Sequence, residues 1–231
     1  MGIIRFSDEE VFGTDSSEYE ILCEGAAKIK DVPGAVVEIG SRRGGSAKLI
    51  IDTLVLNNDT NRSMFCIDPY GDIEVYCTNL NITQHRIPAE ITGDPNSVED
   101  FVPLRFGFDN QMRNRVIPSL YFYAYQRGLN FQFFCLEDNE FFKAFPNGVP
   151  VYDRYKEYMN SYAFVFFDGP HINDALIEEV NFFGNRAPMG AVWVFDDVWM
   201  YNHKEIEDIV FGYGFDVITK GNVKISYVKV R

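Results

Sequence analysis

Five short apolar runs in this chain each end on a carboxylate. They read "AVVEIG" with Glu38, "SMFCIDPYG" with Asp68, "FQFFCLED" with Glu137-Asp138, "FVFFDGPH" with Asp168, and "AVWVFDDV" with Asp196-Asp197. Apolar runs of this length, bounded by turn residues, suit buried strands, and the segments between them carry helical spacing. Strands alternating with helices build a mainly parallel sheet covered on both faces. In such a sheet the strand ends, and therefore the acids, gather along one carboxyl edge, where open α/β sheets bind their ligands.

The remaining elements fill in this frame. Ser17-Glu18-Tyr19-Glu20 fits a capping box opening a helix with apolar positions at Tyr19, Leu22, Cys23, Ala26 and Ile29, stopped by Asp31-Val32-Pro33-Gly34. Further helices are expected within "SRRGGSAKLIIDTLVL", over about 109–127, over about 173–186 and near 203–212. Shorter ones are expected in "EFFKAF" and "YDRYKEYMNS". The tail "FDVITKGNVKISYVKV" alternates around Gly221-Asn222 and predicts an antiparallel hairpin, giving the sheet one mixed edge. All 231 residues read as one domain, with an N-terminal arm and helix over 1–33. The segment 69–130 is too long for a simple crossover and is expected to cover the site with one helix in it.

Composition narrows the function. Apolar residues make up 46% of the chain, enough for a large core, and the net charge of −13 opposes binding to nucleic-acid phosphates or anionic membranes. The four cysteines lack CxxC spacing, which fits a reduced interior, and no apolar run approaches ~18 residues. The expectation is a soluble, cytoplasmic protein with a small-molecule partner, its N-terminal arm suited to a homodimer contact.

"VVEIGSRRGGS" carries the most chemical information. Glycines in a strand-to-helix turn let backbone approach a ligand closely. The dinucleotide fingerprint needs GxGxxG. Here Gly40 is followed by three residues and then Gly44-Gly45, and Glu38 stands two residues before Gly40. A carboxylate at that place opposes a pyrophosphate and favours a cationic or hydroxyl-bearing ligand.

These residues resemble motif I of the class I S-adenosylmethionine-dependent methyltransferases. The resemblance implies a Rossmann-like α/β fold with a seven-stranded sheet. It implies that Gly40, Ser41, Gly44, Gly45 and Ser46 wrap the methionine part of S-adenosylmethionine above Glu38. Asp68 then matches the acid that pairs with the ribose hydroxyls, and Glu137-Asp138 the segment lining the adenine. Ordinary structural readings stand beside these: a tight turn for the glycines, a turn cap before Pro69 for Asp68, and a helix cap for Glu137 and Asp138.

Asp168 and Asp196-Asp197 close strands expected to be neighbours. Crowded carboxylates either hold a proton or call in a cation. Hard oxygen donors suit Mg2+ or another hard divalent ion, and no His/Cys cluster supports zinc. The arrangement resembles the divalent-metal-dependent O-methyltransferases of the macrocin/mycinose type, which act on sugar hydroxyls, and "EIGSRRGGS" is also similar to the cephalosporin-hydroxylase-like branch. The resemblance covers roughly residues 34–230 and implies Asp168, Asp196 and Asp197 as metal ligands, with His171 or Asp168 as the base. The sugar enzymes often read D-G-D where this chain has Asp168-Gly169-Pro170-His171. Strand-end caps facing water are the plainer reading of the three aspartates, and a helix-opening turn residue that of His171. His203 is placed nearer its own helix cap than the rim. Aromatics at Tyr121–Tyr125 and around Phe141 suit either an acceptor pocket or the core. Two rivals stand against the methyltransferase: a non-catalytic module that binds S-adenosylmethionine or a partner, and a nicotinamide-dependent oxidoreductase, which the missing GxGxxG and the presence of Glu38 oppose.

Overall fold

The computed structural model describes residues 11–14, 16–70, 110–153 and 155–231, together with the backbone of three strands between 73 and 104. Along the chain the elements are α1 (Tyr19–Ala27), β1 (Ala35–Ile39), α2 (Gly45–Leu56), β2 (Ser63–Ile67), β3 (Ile73–Thr78), β4 (His85–Pro88), β5 (Phe101–Leu104), α3 (Asn110–Tyr125), β6 (Asn130–Phe134), α4 (Asp138–Ala144), β7 (Val149–Tyr152), β8 (Lys156–Met159), β9 (Tyr162–Phe167), α5 (Asn173–Gly184), β10 (Val192–Phe195), α6 (His203–Gly212), β11 (Phe215–Lys220) and β12 (Ile225–Lys229).

Seven strands form one sheet in the order β11-β12-β10-β9-β1-β2-β6. The five acid-ended runs supply its parallel part, and β12 alone runs antiparallel, between β10 and β11. This is the Rossmann-like arrangement that the sequence implied, with the C-terminal hairpin closing one edge. The strands can be nearly wholly apolar because both faces are covered. One face packs Val36, Cys66, Phe166 and Val194 against α1, α2 and α3. The other packs Ile39, Phe167, Trp193 and Phe195 against α4, α5 and α6. Aromatic stacking consolidates that second face: Trp193 lies 3.9 Å from Phe215 and Phe167 lies 4.4 Å from Phe195, centroid to centroid. Phe141 is fully buried there and belongs to the core.

Three local expectations change. The capping box at Ser17 does not form, because Glu18 takes a left-handed conformation (φ 57°) and turns its carboxylate away from the helix. Its oxygens instead accept the main-chain N–H groups of Asn222, Val223 and Lys224. "YDRYKEYMNS" is not helical: β7 and β8 pair antiparallel, Tyr152 opposite Lys156. The cover segment 69–130 contains α3 and, between 73 and 104, a three-stranded antiparallel sheet in the order β4-β3-β5. Residues 71–72, 79–84, 89–100 and 105–109 of that segment, and most of the arm over 1–15, lie outside the described residues. No helix among the described residues is long and apolar enough to cross a membrane.

Candidate functional site

The sheet's hydrogen bonding runs one residue past each strand and sets the acids in a row. Asp196 N–H donates to Phe167 O, Asp168 N–H to Ile39 O, Gly40 N–H to Ile67 O, and Asp68 N–H to Phe134 O. Strand alternation puts Asp68, Asp168 and Asp196 on the face of Cys66, Phe166 and Val194. Gly40 joins the row because it has no side chain. Its φ is +84°, and a Cβ there would lie 1.8 Å from the carbonyl oxygen of Asp168. The glycine turn therefore sits directly against the end of β9.

Glu38 lies fully buried beneath that turn. Its Oε2 accepts hydrogen bonds from Ser41 Oγ (2.6 Å) and Cys66 Sγ (3.3 Å). Its Oε1 is buried with no hydrogen-bond partner among the described residues. Burial pushes the carboxyl up to about 7, against the pull of the hydroxyls of Ser41 and Ser46. A buried oxygen without a partner under a glycine turn keeps acceptor capacity for a further donor. Gly44 and Gly45 open α2 beside it, with Gly44 left-handed (φ +78°) and Gly45 packed against the main chain of Gly13.

Asp68 is also fully buried. Its two oxygens accept the N–H groups of Arg42 (2.9 Å) and Tyr70 (3.1 Å), so it caps the turn and ties the glycine loop to the end of β2. Each carboxylate oxygen retains a lone pair for a further donor. Tyr70, its phenol raised by burial beside Asp68, donates its O–H to the carbonyl of Arg42. Glu137 is the N-cap of α4, in a capping box that is reciprocal with Glu140. Asp138 is buried and accepts the N–H of Asn139. In this geometry both residues serve the opening of α4.

Past β9 the chain turns at Gly169-Pro170, and His171 adopts a left-handed backbone (φ 51°). That turn brings His171 Nε2 back to 3.6 Å from Asp168 Oδ1. The imidazole is nearly buried and lies parallel to the Tyr201 ring, 6.1 Å away. Asp168 keeps partial exposure, with 22% of its side chain accessible, so the acid–histidine pair meets solvent through Asp168. Tyr201 remains a phenol, pushed well up by burial and by neighbouring acids. His203 faces elsewhere: its Nε2 meets Tyr227 Oη at 2.7 Å, and burial pushes it down to about 4.

The aspartates expected to converge have different surroundings. Asp168 and Asp196 follow the paired residues Phe167 and Phe195 and so end neighbouring strands. Asp196, however, is fully buried, and both of its oxygens lie 2.8 Å from Lys224 Nζ. Its Oδ1 also accepts Ser16 Oγ (3.0 Å) and the N–H of Asp197 (2.7 Å). Burial raises the Asp196 carboxyl while Lys224 pulls it back down. A carboxylate so engaged does not fit the role of a magnesium ligand. Among the described residues, no group of three His, Cys, Asp or Glu side chains is placed to hold a metal ion. Of the three aspartates expected to hold a metal ion, Asp168, Asp196 and Asp197, Asp196 takes its counter-charge from the chain itself.

Sequence reasoning passed over Lys224, Ser16 and Tyr201. The crowding of acids was the signal for a cation, but nothing in the pattern of the hairpin distinguished Lys224, which directly precedes β12, from an exposed lysine. Of the aromatics on α3, Tyr121 Oη accepts the N–H of Phe133 and Tyr123 donates to Asp52 (2.6 Å), while Phe122 and Tyr125 are exposed.

No family model and no curated protein matches this sequence. Solved structures similar to it include the O-methyltransferase NovP, with a TM-score of 0.56 at 14% identity over 92% of this chain and 79% of that one. The calicheamicin methyltransferase CalS11 superposes with a TM-score of 0.54 at 12% identity, over 90% and 76% of the two chains. An O-methyltransferase from Bacillus cereus, in complex with SAH, gives 0.54 at 12% identity over 94% and 84%. The chain therefore has the class I methyltransferase fold.

Proposed function

We propose that this protein is an S-adenosylmethionine-dependent O-methyltransferase acting on a small hydroxylated acceptor, with a sugar as the first class to test. The observation that carries the reading is the glycine turn above the orphaned Glu38 Oε1, set against the strand end that bears Asp168 and His171. The fold shared with NovP and CalS11 supports it, and the description of a second CalS11 structure as a TDP-rhamnose 3'-O-methyltransferase favours a sugar.

Gly40, Ser41, Gly44, Gly45 and Ser46 form the wall on which the methionine part of the cofactor would rest, with Glu38 available to its ammonium group. Asp68 has lone pairs left for ribose hydroxyls, and Glu137 and Asp138 lie on the side where the adenine is expected. When bound, S-adenosylmethionine would supply a sulfonium methyl group to the acceptor oxygen, its C–S electron pair staying on sulfur in S-adenosylhomocysteine. His171 would take the acceptor's hydroxyl proton, with Asp168 stabilising the imidazolium, or Asp168 would take it directly. Magnesium has no step in this mechanism, because Asp196 is already engaged by Lys224.

Calorimetric titration with S-adenosylhomocysteine and, separately, with NAD tests the cofactor; silence with the former sinks the proposal. Transfer from methyl-labelled S-adenosylmethionine to a panel of sugars tests the acceptor. His171→Ala is expected to lower kcat by about 100-fold or more while S-adenosylhomocysteine affinity holds within a few-fold. Binding without transfer to any hydroxylated acceptor would favour a non-catalytic module.

A further inference from the structure

The acidic edge needs a cation, and the chain provides one from its last strand hairpin. Lys224 and Asp196 both have no solvent exposure. The ammonium is saturated: beyond Asp196 it donates to Ser16 Oγ (2.7 Å) and the carbonyl of Ser17 (2.7 Å). The rings of Tyr19 and Phe166 stand 4.5 and 5.8 Å from it and close the remaining directions. Oxygen donors on one side and aromatic faces on the other make a built cation site, already filled.

We propose that Lys224 is the resident cation of this edge, taking the place that a divalent ion would have beside Asp196, and that it positions the N-terminal segment against the glycine turn. The charge argument is direct. A hard divalent ion binds through oxygens at about 2.1 Å for Mg2+, and both Asp196 oxygens already face an ammonium. Removing that ammonium to admit a metal would strand a second buried charge. The positioning argument follows the chain outward. Ser16 and Ser17 are ligands of the ammonium, while Phe12 N–H donates to Arg43 O (2.8 Å). A Cβ on Gly45 would meet Gly13 O at 2.5 Å. The described residues of the segment 11–18 therefore bridge the Lys224–Asp196 pair and the turn that would hold the cofactor.

The effect on cofactor binding rests on the transferase reading; the cation assignment does not. Manganese binding, read by electron paramagnetic resonance, separates the two, with S-adenosylhomocysteine affinity measured in the same samples. The native protein is expected to show no manganese site that Asp196→Asn abolishes. Lys224→Met, checked for folding by circular dichroism, is expected to gain one manganese per chain and to bind S-adenosylhomocysteine at least tenfold more weakly. Adding Asp196→Asn to Lys224→Met is expected to remove the gained manganese. One manganese per native chain, lost in Asp196→Asn, overturns the assignment, and this arm stands even where Lys224→Met fails to fold. A folded Lys224→Met that binds no manganese overturns it as well. A Lys224→Met with unchanged S-adenosylhomocysteine affinity overturns the positioning role. A native protein that binds neither manganese nor S-adenosylhomocysteine upholds the lysine and sinks the transferase.

Discussion

At the scale of single residues, Glu38 sets a pH dependence. Its ordinary value is 4.5 and its folded value about 7, so the folded chain holds this proton more tightly than the unfolded chain does. Stability from Glu38 is therefore greatest in acid and declines as pH rises from 4.5 to about 7, by roughly 3 kcal/mol at 1.36 kcal/mol per pKa unit. Denaturant unfolding across that range is expected to show stability falling with rising pH in the wild type, and no such fall from this position in Glu38→Gln. Gly40→Ala is expected to cost roughly 3–5 kcal/mol by chemical denaturation, through left-handed strain and a backbone clash together. Glu38 and Gly40 were legible in the sequence because a strand followed by a glycine turn has few geometries. Asp68 was legible as a position, and its two main-chain bonds realise the plain capping alternative. Lys224 was not legible: its burial depends on β12 lying beside β10 and on the N-terminal segment folding over both, and neither relation has a local pattern.

At the scale of elements, the Glu18 carboxylate holds the loop between β11 and β12, and those bonds keep it below the usual carboxylate range. Glu18→Ala is expected to speed hydrogen exchange at the Asn222, Val223 and Lys224 amides by roughly tenfold, while the core amides of β9 hold. The contribution of Glu18 is present above its ordinary value and is lost as pH falls below it. The same residue shows how an element's edge escapes sequence reasoning. Ser17 and Glu20 have capping-box spacing, yet a distant hairpin with three unpaired donors drew Glu18 into a left-handed turn. "YDRYKEYMNS" failed for the opposite reason. Its aromatic spacing matched a helix, but Tyr152, Tyr155 and Tyr158 are exposed, so no apolar face rewarded helix formation and the strands β7 and β8 paired instead. The helices α5 and α6 were legible nearly to the residue because their apolar positions do meet a core.

At the scale of the molecule, a mainly parallel sheet with an antiparallel C-terminal hairpin was readable from alternating strands and helices, while the strand order was not, and one face of that sheet is lined with aromatic rings. Trp193→Ala is expected to cost roughly 3–5 kcal/mol in denaturant unfolding, since it empties the center of the stack with Phe167 and Phe215. With a net charge of −13, the folded chain repels itself; added sodium chloride is expected to raise the Tm by a few degrees through screening, with the buried Lys224–Asp196 pair contributing little. That pair also has a consequence in time. Lys224 meets Ser16 across 208 positions of sequence. At a synthesis rate of roughly 5–20 residues per second, Ser16 waits about 10–40 s on the ribosome for its partner. The parallel strands can assemble during that interval, but the acidic edge stays without its cation until the β11–β12 hairpin emerges. Completion of the edge thus waits on synthesis of the hairpin that carries Lys224, and a nascent chain arrested before it would carry the parallel strands without a finished edge.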